Sequence, residues 1–484
     1  WRRRGSPPRA WAPPRRPAER RVSAATVGTG GHTRGTPGDA GRPLLFVGAA
    51  QVATCAGPAR ARRGGELADA GVRPRGTAVA CVAGRIAAVG PLDELERRHP
   101  DADRVDCGGR LLTPGLVDSH THAVFGRARY EEQELRATGV PYLEIARRGG
   151  GIHASVRDLR ARSEDELVEF ALPRLRRIAA HGTTTVEIKS GYGLSLDDEL
   201  KTLRAIRRLQ ALLPLRLVPT WLGAHELPEE YRARADGRRA YLRLLVHEML
   251  PAVVGEGLAR FADVFCEPGV YGVEESRLLL EAARGAGLGV KLHADELATS
   301  GGAELAVALG AASADHLAAV SEAGVRALGA GGTVATLLPG TMLFLGSARQ
   351  APARTLIDAG APVALASDFN PGTSPTVNFP LVLALAVSQL RLSAAEALVA
   401  GTVNGAAALL LAGGVGQLAP GFAADVALFD AEDVRELPYW YGDRLCRGTW
   451  VGGVACHPLE AGVRFAAPAP EVAAPLPTSE HPTP

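Results

Sequence analysis

The chain has 484 residues, and its 54 lysines and arginines are nearly balanced by 52 aspartates and glutamates. Apolar residues make up 46% of the sequence and charged residues 22%, which is typical of a globular protein with a large core. The sequence contains no uninterrupted apolar run of about 18 residues, so we expect no membrane-spanning helix and no membrane partner.

The six cysteines are scattered without the C-x-x-C spacing of zinc ribbons. This scatter also argues against a dense disulfide framework, so we expect a cytoplasmic protein. Only three of the 54 basic residues are lysine (Lys189, Lys201 and Lys291), which indicates a coding bias toward arginine. The arginine content is therefore weak evidence for nucleic-acid binding, and we expect no nucleic-acid partner.

Residues 1–43 form an extension rich in arginine, proline and glycine. They include ten arginines but only two acidic residues, Glu19 and Asp39, which leaves a net charge of +8. This composition predicts disorder. The extension lacks the apolar stretch of a secretory signal and is compatible with an organelle transit peptide, but the first residue, Trp1, favours an artefact of an upstream start site. Residues 466–484 contain six prolines and are expected to form a loose tail.

Short runs of β-type residues, punctuated by glycine, occur near both ends of the chain. The runs LLFVGA, TAVACVAG and RIAAVG lie within residues 44–112, and VGQLAPGFAADVALFD and GTWVGGVAC lie within residues 413–465. Apolar and β-branched runs bounded by turn residues are typical of strands. We therefore expect residues 44–112 and 413–465 to form one composite β domain, a small β-sandwich built from both chain ends.

The central region, residues 113–412, alternates between short apolar runs and amphipathic helical patterns such as 163–182 and 273–288. The eight runs are LVDSH (116–120), TTTVEI (183–188), LRLVPTW (215–221), ADVFC (262–266), GVKLH (289–293), ASADH (312–316), TVATLL (333–338) and PVALAS (362–367). Eight β-α units predict an α/β fold, a (β/α)8 TIM-like barrel, with its chemistry at the carboxyl ends of the strands.

Histidine and aspartate residues lie at several of these strand ends. His120 and His122 follow the first strand, and residues two apart in an extended segment point to the same side. His293 ends the fifth run, and Asp368 follows the eighth. Three imidazoles and one carboxylate suit Zn²⁺ or iron, so the pattern predicts a metal site. The alternative is a structural role, in which His293 bonds to the core backbone and Asp368 caps a helix.

Longer motifs accompany these residues. They are LLTPGLVDSHTH (111–122), HTHAVFGRARYEE (120–132), YLEIARRGGGIHASV (142–156), GTTTVEIKSGYGLSLDDELK (182–201), LGAHELP (222–228), ADVFCEPG (262–269), KLHADE (291–296), SADHL (313–317), LLPG (337–340) and SDFNPGTSPT (367–376). The first segment resembles the first-strand signature of the amidohydrolase superfamily. Within that superfamily, residues 44–455 resemble the imidazolonepropionases, a family of histidine breakdown.

The resemblance implies a single metal ion, Zn²⁺ or Fe³⁺, that activates water as the nucleophile. The implied ligands are His120, His122, His293 and Asp368. Many members of the superfamily hold a second ion through a carboxylated lysine at the end of the fourth strand. Here that strand ends at Cys266 and Glu267 without a lysine, so we expect one ion.

The resemblance also implies three catalytic residues, Glu296, His316 and Asp368. Glu296 lies three residues beyond His293 and is expected to act as general acid/base and to touch the substrate; its alternative is a solvated carboxylate in the first turn of a helix. His316 is expected to polarise the developing oxyanion or to help move the proton, and its alternative is a supporting hydrogen bond. Which of the three takes the first proton stays open.

The implied reaction is the hydrolysis of 4-imidazolone-5-propanoate to N-formimidoyl-L-glutamate. Arg129 matches the residue that clamps the propanoate, although its position alone would make it a surface residue in so arginine-rich a chain. The other implied substrate-binding residues are Tyr192, His225, Glu296, Asn370, Gly372 and Thr373. For Tyr192 and His225 the alternative is ordinary loop packing. Tyr142 and His153 lie in a glycine-rich loop expected to close over the site, and the family resemblance implies a homodimer.

Two other functions compete with this one. A related ring aminohydrolase, such as a cytosine, guanine or triazine deaminase, would use a similar metal site but would not need a propanoate clamp. The presence of Arg129 and Tyr192 therefore favours hydrolysis of the imidazolone propanoate. A non-catalytic barrel would be expected to have lost metal ligands, whereas all four candidates and Glu296 are present.

Overall fold

In a computed structural model, the chain is described over residues 42–140, 144–145 and 149–457. The extension up to residue 41 and the tail from residue 466 therefore lie outside the described residues, as does Tyr142. The six cysteines all lie inside these ranges, and none of them forms a disulfide. Among the described residues, every helix is too short or too polar to cross a membrane.

The strands are numbered here in chain order. They are β1 Leu44–Val47, β2 Gln51–Ala53, β3 Val72–Arg73, β4 Thr77–Val82, β5 Arg85–Pro91, β6 Asp103–Asp106, β7 Leu111–Pro114, β8 Leu116–Asp118, β9 Thr183–Lys189, β10 Arg216–Ala224, β11 Phe261–Cys266, β12 Gly289–Ala294, β13 Ser313–His316, β14 Val334–Leu337, β15 Val363–Leu365, β16 Val426–Phe429, β17 Cys446–Val451 and β18 Val454–His457.

The helices follow most of these strands. The α-helices described are Leu92–Arg98, Tyr130–Ala137, Ile152–Arg160, Glu164–Ala179, Leu196–Leu212, Glu229–Arg232, Gly237–Leu244, Leu250–Gly255, Val273–Gly285, Gly302–Ala308, Glu322–Ala330, Pro339–Phe344, Ala353–Asp358, Phe379–Leu390, Ala394–Val399, Gly405–Ala408 and Glu436–Tyr439. One 3₁₀ helix, Gly64–Ala68, and two π-helical turns, Leu245–Met249 and Ala400–Asn404, complete the list.

Strands β8 to β15 form one parallel sheet in chain order. Each contains at least half of one predicted run, so the predicted α/β barrel is confirmed. Strand β9 is buried along its whole length and is rich in β-branched residues, as expected of a barrel strand enclosed on both faces. The long helices begin at sequence signals; Ser163, for example, accepts the N–H of Glu166 while the Glu166 carboxylate accepts that of Ser163.

The sheet closes between its first and last strands. The N–H of Asp368 donates to the carbonyl of His120 at 3.0 Å, and the N–H of His122 donates to the carbonyl of Phe369 at 2.8 Å. Below these bonds, the carboxylate of Asp118 accepts both the N–H (2.9 Å) and the hydroxyl of Ser367. The segments that carry three of the four predicted metal ligands are therefore fastened directly to one another.

Two further sheets are built from both ends of the described chain. One has the order β5-β4-β1-β6, and the other has the order β18-β17-β16-β7-β2-β3. The late strand β16 pairs antiparallel with the early strand β7. Phe46 and Trp450 pack edge to face, with ring centroids 5.0 Å apart, in a core shared by both sheets. These sheets are consistent with the expected β-sandwich, and the boundaries 44–112 and 413–465 stay a proposal.

The junction between the first and last strands predicts a measurable stability effect at Asp118. Replacing Asp118 with alanine leaves two buried donors of Ser367 without their acceptor, so we expect the free energy of unfolding in urea to fall by about 2–4 kcal/mol. Burial raises the pKa of Asp118 to about 7. The group's contribution to stability is therefore greatest below about pH 4 and is lost as pH rises to 7, so the deficit of the variant should narrow between about pH 4 and pH 7 and stay constant above that.

Asp93→Ala is the matched control for this measurement. Asp93 is an exposed helix residue paired only with the exposed Arg97, so its loss should change the free energy of unfolding by less than about 0.5 kcal/mol. Equal effects of the two substitutions would contradict a special role for Asp118 in closing the barrel.

Candidate metal centre and active site

The predicted metal ligands converge at the carboxyl ends of the barrel strands. His120 and His122 follow β8, His293 lies on β12, and Asp368 follows β15; all four are buried. One ligand atom from each of His120, His122 and His293 can be chosen so that all lie within 4.8 Å of one another, and the same holds for His120, His316 and Asp368. Residues far apart in sequence therefore form one cluster of nitrogen and oxygen donors.

The chemistry of this cluster fits a metal ion. Nε2 of His120, Nδ1 of His122 and Nε2 of His293 are buried and have no hydrogen-bond partner among the described residues. A buried polar atom without a partner costs about 1–3 kcal/mol, so such a concentration is unexpected unless something else binds these atoms. Burial also lowers the pKa of His120 and His122 well below the ordinary value. Neutral imidazoles offer the lone pairs that a metal ion needs.

Two carboxylates orient the imidazoles from below. Oδ2 of Asp315 lies 2.6 Å from Nδ1 of His120, and Oδ2 of Asp263 lies 3.1 Å from Nδ1 of His293. A carboxylate at Nδ1 favours the tautomer in which that nitrogen carries the proton. The lone pair of Nε2 then faces the centre of the cluster in both histidines.

Lys189 and Lys291 are fully buried beneath these carboxylates. Nζ of Lys189 lies 2.7 Å from Asp263, 2.8 Å from Glu187 and 3.7 Å from Asp315. Nζ of Lys291 lies 3.2 Å from Glu187 and 3.6 Å from Asp315. Burial alone would raise the pKa of Asp263, but the neighbouring His293 and Lys189 hold it well below its ordinary value. Lys189 is therefore a counter-charge of Asp263, and both lysines lie within ion-pair distance of Asp315.

Asp368 completes the donor set from the last strand. Its Oδ1 lies 3.6 Å from Nε2 of His120 and 3.7 Å from Nε2 of His122, and its Oδ2 accepts the hydroxyl of Thr341 at 2.6 Å. Burial raises the pKa of Asp368 to about 6. Its backbone φ is +51°, an uncommon value for a residue with a side chain, and its N–H donates to the carbonyl of His120.

Glu296 and His316 lie together on one side of the cavity. Oε2 of Glu296 lies 3.6 Å from Nδ1 of His316, and neither ring nitrogen of His316 has a hydrogen-bond partner within the described ranges. Burial, and then the charge of Asp368, raises the pKa of Glu296 well above its ordinary value. Burial lowers the pKa of His316. A carboxyl group that holds its proton beside a neutral imidazole is suited to acid/base work.

A cavity of about 480 Å³ opens over this cluster. The predicted residues that line it are His122, Arg129, Tyr192, His225, His293, Glu296, His316, Asp368, Asn370 and Thr373. Its apolar wall is Ile152, Phe265, Leu297, Met342 and Leu345. A cavity of this size accommodates a small ring compound.

Arg129 is buried at one side of the cavity, which contradicts its default reading as a surface residue. Within the described part of the chain its Nε and Nη1 have no hydrogen-bond partner, and the nearest described carboxylate oxygen, in Glu132, lies 3.7 Å from Nε. Gly372 is not among the lining residues; it packs against the guanidinium, and a Cβ there would lie 1.4 Å from Nη2. Asn370 holds this turn by accepting the N–H groups of Gly372 and Thr373, each at 2.8 Å.

Tyr192 and His225 lie together at another side of the cavity. The ring of His225 stacks on that of His122, with centroids 5.0 Å apart, and the Tyr192 ring lies 5.3 Å from it. Nδ1 of His225 lies 2.9 Å from the carbonyl of Gly191 and donates to it. Burial lowers the pKa of His225 to about 3, so this ring is neutral and its Nε2 is an acceptor.

His153, which the sequence placed in a loop over the site, lies 3.9 Å from Glu229 and is not among the cavity-lining residues, whereas its neighbour Ile152 is.

Some other site residues were not found from the sequence. Asp263 was missed as a support of His293, although the alternation of strand β11 places it on the same face as the lining residue Phe265. Arg349 at the cavity wall has no sequence signal that separates it from other arginines.

Comparisons with known proteins identify the family of the chain. Residues 146–457 match the amidohydrolase family, and residues 78–102 match an imidazolonepropionase-like composite domain of bacteria. The fold is similar to that of guanine deaminase from E. coli, with a TM-score of 0.63 and 17% identity over 86% of this chain and 99% of that chain. It is also similar to an adenosine deaminase from Xanthomonas campestris with bound zinc, with a TM-score of 0.62 and 19% identity over 87% of this chain and 94% of that chain. The chain is a member of the amidohydrolase family.

Curated relatives narrow this assignment. The imidazolonepropionase of Symbiobacterium thermophilum is 52% identical over 403 residues, which cover 82% of this chain and 93% of the relative. The imidazolonepropionase of Geobacillus kaustophilus is 46% identical over 406 residues, which cover 83% of this chain and 95% of the relative. The imidazolonepropionase of Solibacter usitatus is 44% identical over 404 residues, which cover 83% of this chain and 96% of the relative. The chain therefore belongs to the imidazolonepropionases, and the predicted family is confirmed.

The buried lysine beneath the cluster predicts a large stability effect. Replacing Lys189 with methionine removes the lysine that contacts Asp263 and one of the two lysines near Asp315, and breaking a buried ion pair typically costs about 3–5 kcal/mol. We expect a loss of that size in the free energy of unfolding, measured in urea. Arg326→Met, which breaks the exposed pair with Glu322, should change it by less than about 1 kcal/mol. A Lys189 variant as stable as the Arg326 variant would contradict the counter-charge role.

Proposed function

We propose that this protein hydrolyses the ring amide of 4-imidazolone-5-propanoate to give N-formimidoyl-L-glutamate, a step of histidine breakdown. The observation that carries the proposal is the buried guanidinium of Arg129, whose Nε and Nη1 have no hydrogen-bond partner among the described residues. It lies in the same cavity as the metal-type cluster, the donor set of His120, His122, His293 and Asp368. A small ring that bears a carboxylate matches both features, because a carboxylate can accept two hydrogen bonds from one guanidinium.

His120, His122, His293 and Asp368 hold a single metal ion in this proposal. Three imidazoles and one carboxylate suit either Zn²⁺ or Fe³⁺. When bound, such an ion supplies a Lewis acid and brings the pKa of water toward neutrality. The lysines of this region, Lys189 and Lys291, are fully engaged beneath the ligands, which fits one ion and not two.

The reacting groups of the chain lie around the position of the substrate carbonyl. Water adds its oxygen to the carbonyl carbon, the ring carbon–nitrogen bond breaks, the nitrogen takes a proton, and a carboxylate is released. Glu296 is the general acid/base that moves the proton toward the ring nitrogen, and His316, 3.6 Å from it, stabilises the developing oxyanion. Asp368 is the remaining carboxylate able to accept the proton from water.

Substrate orientation comes from the surrounding side chains. Arg129 binds the propanoate, and Asn370, Gly372 and Thr373 shape the turn beside it. Tyr192 and His225 contact the ring, together with Glu296. The apolar wall that includes Phe265 and Met342 excludes water from the rest of the cavity.

The wider setting follows the same proposal. The protein acts as a cytoplasmic homodimer on a small-molecule substrate, without nucleic-acid or membrane partners. Residues 113–412 form the catalytic barrel, residues 44–112 and 413–465 form the composite β domain, and residues 1–43 and 466–484 are dispensable for hydrolysis.

The direct test is incubation of the metal-replete protein with freshly generated imidazolone propanoate. Mass spectrometry should show the gain of one water, and guanine and cytosine should be left unchanged because they lack the carboxylate that Arg129 binds. Element analysis of the same preparation should find one ion per chain and decide between zinc and iron. No hydrated product from the metal-replete protein, or faster turnover of the neutral bases, would overturn the proposal in favour of a deaminase.

The propanoate clamp predicts the kinetics of Arg129→Ala. Hydrogen bonds to charged groups are worth about 1.5–3 kcal/mol each, so losing the clamp should lower kcat/KM by about 100-fold, mostly through KM. Metal content should be unchanged, because Arg129 does not contact the ligand histidines. Arg127→Ala, two residues away and exposed, is the control and should keep wild-type kinetics. An unchanged KM in the Arg129 variant would show that the propanoate binds elsewhere.

A further inference from the structure

A tight loop between strand β9 and helix Leu196–Leu212 presents Tyr192 to the cavity. Tyr192 stands between two glycines that both approach other groups closely. Gly191 has φ of +101°, and a Cβ there would lie 2.9 Å from Nδ1 of His225. A Cβ at Gly193 would lie 2.5 Å from the backbone nitrogen of Glu199. The backbone of the loop is therefore closely packed on both sides of Tyr192. Its conformation must be stabilised by a neighbouring group.

That group is the carboxylate of Glu199, in the first turns of the following helix. It accepts the backbone N–H groups of Gly191 at 3.1 Å, Gly193 at 2.8 Å and Leu194 at 3.0 Å. Glu199 is fully buried and does not line the cavity. A buried carboxylate that accepts three backbone donors spans both sides of Tyr192 and leaves the loop little freedom.

Two further contacts extend this arrangement. The carbonyl of Gly191, whose N–H is held by Glu199, accepts the Nδ1 proton of His225 at 2.9 Å. From the opposite side, the guanidinium of Arg160 donates to the carbonyls of Gly193 at 2.7 Å and Leu194 at 3.0 Å. Glu199 thus binds the N–H groups of the loop, and Arg160 binds its carbonyl groups.

We propose that Glu199 is a positioning residue that sets Tyr192 and His225 in the geometry that binds the substrate ring. This inference rests on the proposed function, because it assigns those two side chains to the ring. Glu199 is neither a cavity-lining residue nor one of the predicted metal ligands, and it acts through the backbone of residues 191–194 and through the side chain of Ser190.

The choice of a carboxylate has a chemical reason. Oε1 accepts all three N–H groups, and Oε2 also lies 3.2 Å from the N–H of Gly191. A glutamine has one acceptor oxygen and one NH₂ group, so in either orientation an NH₂ would meet a donor of the loop. Glu199→Gln therefore keeps the size of the side chain but shifts the loop.

The experiment measures binding and kinetics of Glu199→Gln in the metal-replete enzyme. The binding probe is 3-(imidazol-4-yl)propanoate, which has a ring and a carboxylate but no ring amide. We expect its Kd and the KM of the substrate to rise about tenfold, the effect of roughly one lost charge-assisted hydrogen bond, with kcat and metal content changed less than about threefold. In a Tyr192→Ala background the same substitution should cost less than about threefold, because only the part of its effect that acts through His225 then remains.

Glu396→Gln is the matched control. The Glu396 carboxylate is also largely buried, accepts a backbone N–H, that of Ser393, and pairs with Arg354, but the segment it binds carries no cavity-lining residue. Its substitution should leave Kd and KM unchanged even if it lowers the melting temperature. A general loss of stability would affect both variants alike, so only a positional role separates them.

The outcomes divide cleanly. Wild-type enzyme without activity on the substrate would defeat the proposed function itself, whatever the variant does. Active wild type with a Glu199→Gln variant of unchanged Kd, or with full additivity to Tyr192→Ala, would overturn the positioning role. If Glu199→Gln does not fold, Arg160→Met tests the same loop from its carbonyl side. It should raise Kd by about threefold or more at constant metal content, and an unchanged Kd would then overturn the inference.

Discussion

The contact between each orienting carboxylate and its histidine is the interaction on which the site depends. Asp315 and Asp263 each face the Nδ1 atom of one imidazole, and this leaves the other nitrogen of His120 and His293 directed at the centre. Such carboxylates would lose their charge if they were buried alone. Lys189, which lies within reach of both, removes that difficulty and makes the two histidines parts of one network.

The architecture of the barrel explains why these groups meet. Parallel strands present all their carboxyl ends at one mouth, so donors from β8, β12 and the segment after β15 face one cavity. The donors on the first and last strands are further aligned by the junction itself, where backbone bonds join His120 to Asp368. A shift of register at this junction would separate the histidine pair from the aspartate. Closure of the sheet and assembly of the donor set are therefore the same structural event.

The sequence was sufficient to predict features that depend on local pattern. Strand runs, the alternation of His120 and His122, and donors placed just after strands all follow from spacing along the chain. Contacts between residues distant in the sequence were not predictable in this way. The sequence around Asp263, for example, does not indicate that the carboxylate pairs with Lys189 on another strand. The role of Glu199 was equally hidden, because its position in an amphipathic helix is that of an ordinary acidic residue.

The arginine of the cavity and the glycine beside it illustrate how one position can restrict which compounds a barrel accepts. Any side chain at position 372 would occupy the space of the Arg129 guanidinium, so a carboxylate receptor can exist on this wall only where the neighbouring turn is bare. In the proposed reaction, the absence of a side chain at residue 372 is therefore what makes room for the arginine that binds the acidic tail of the substrate.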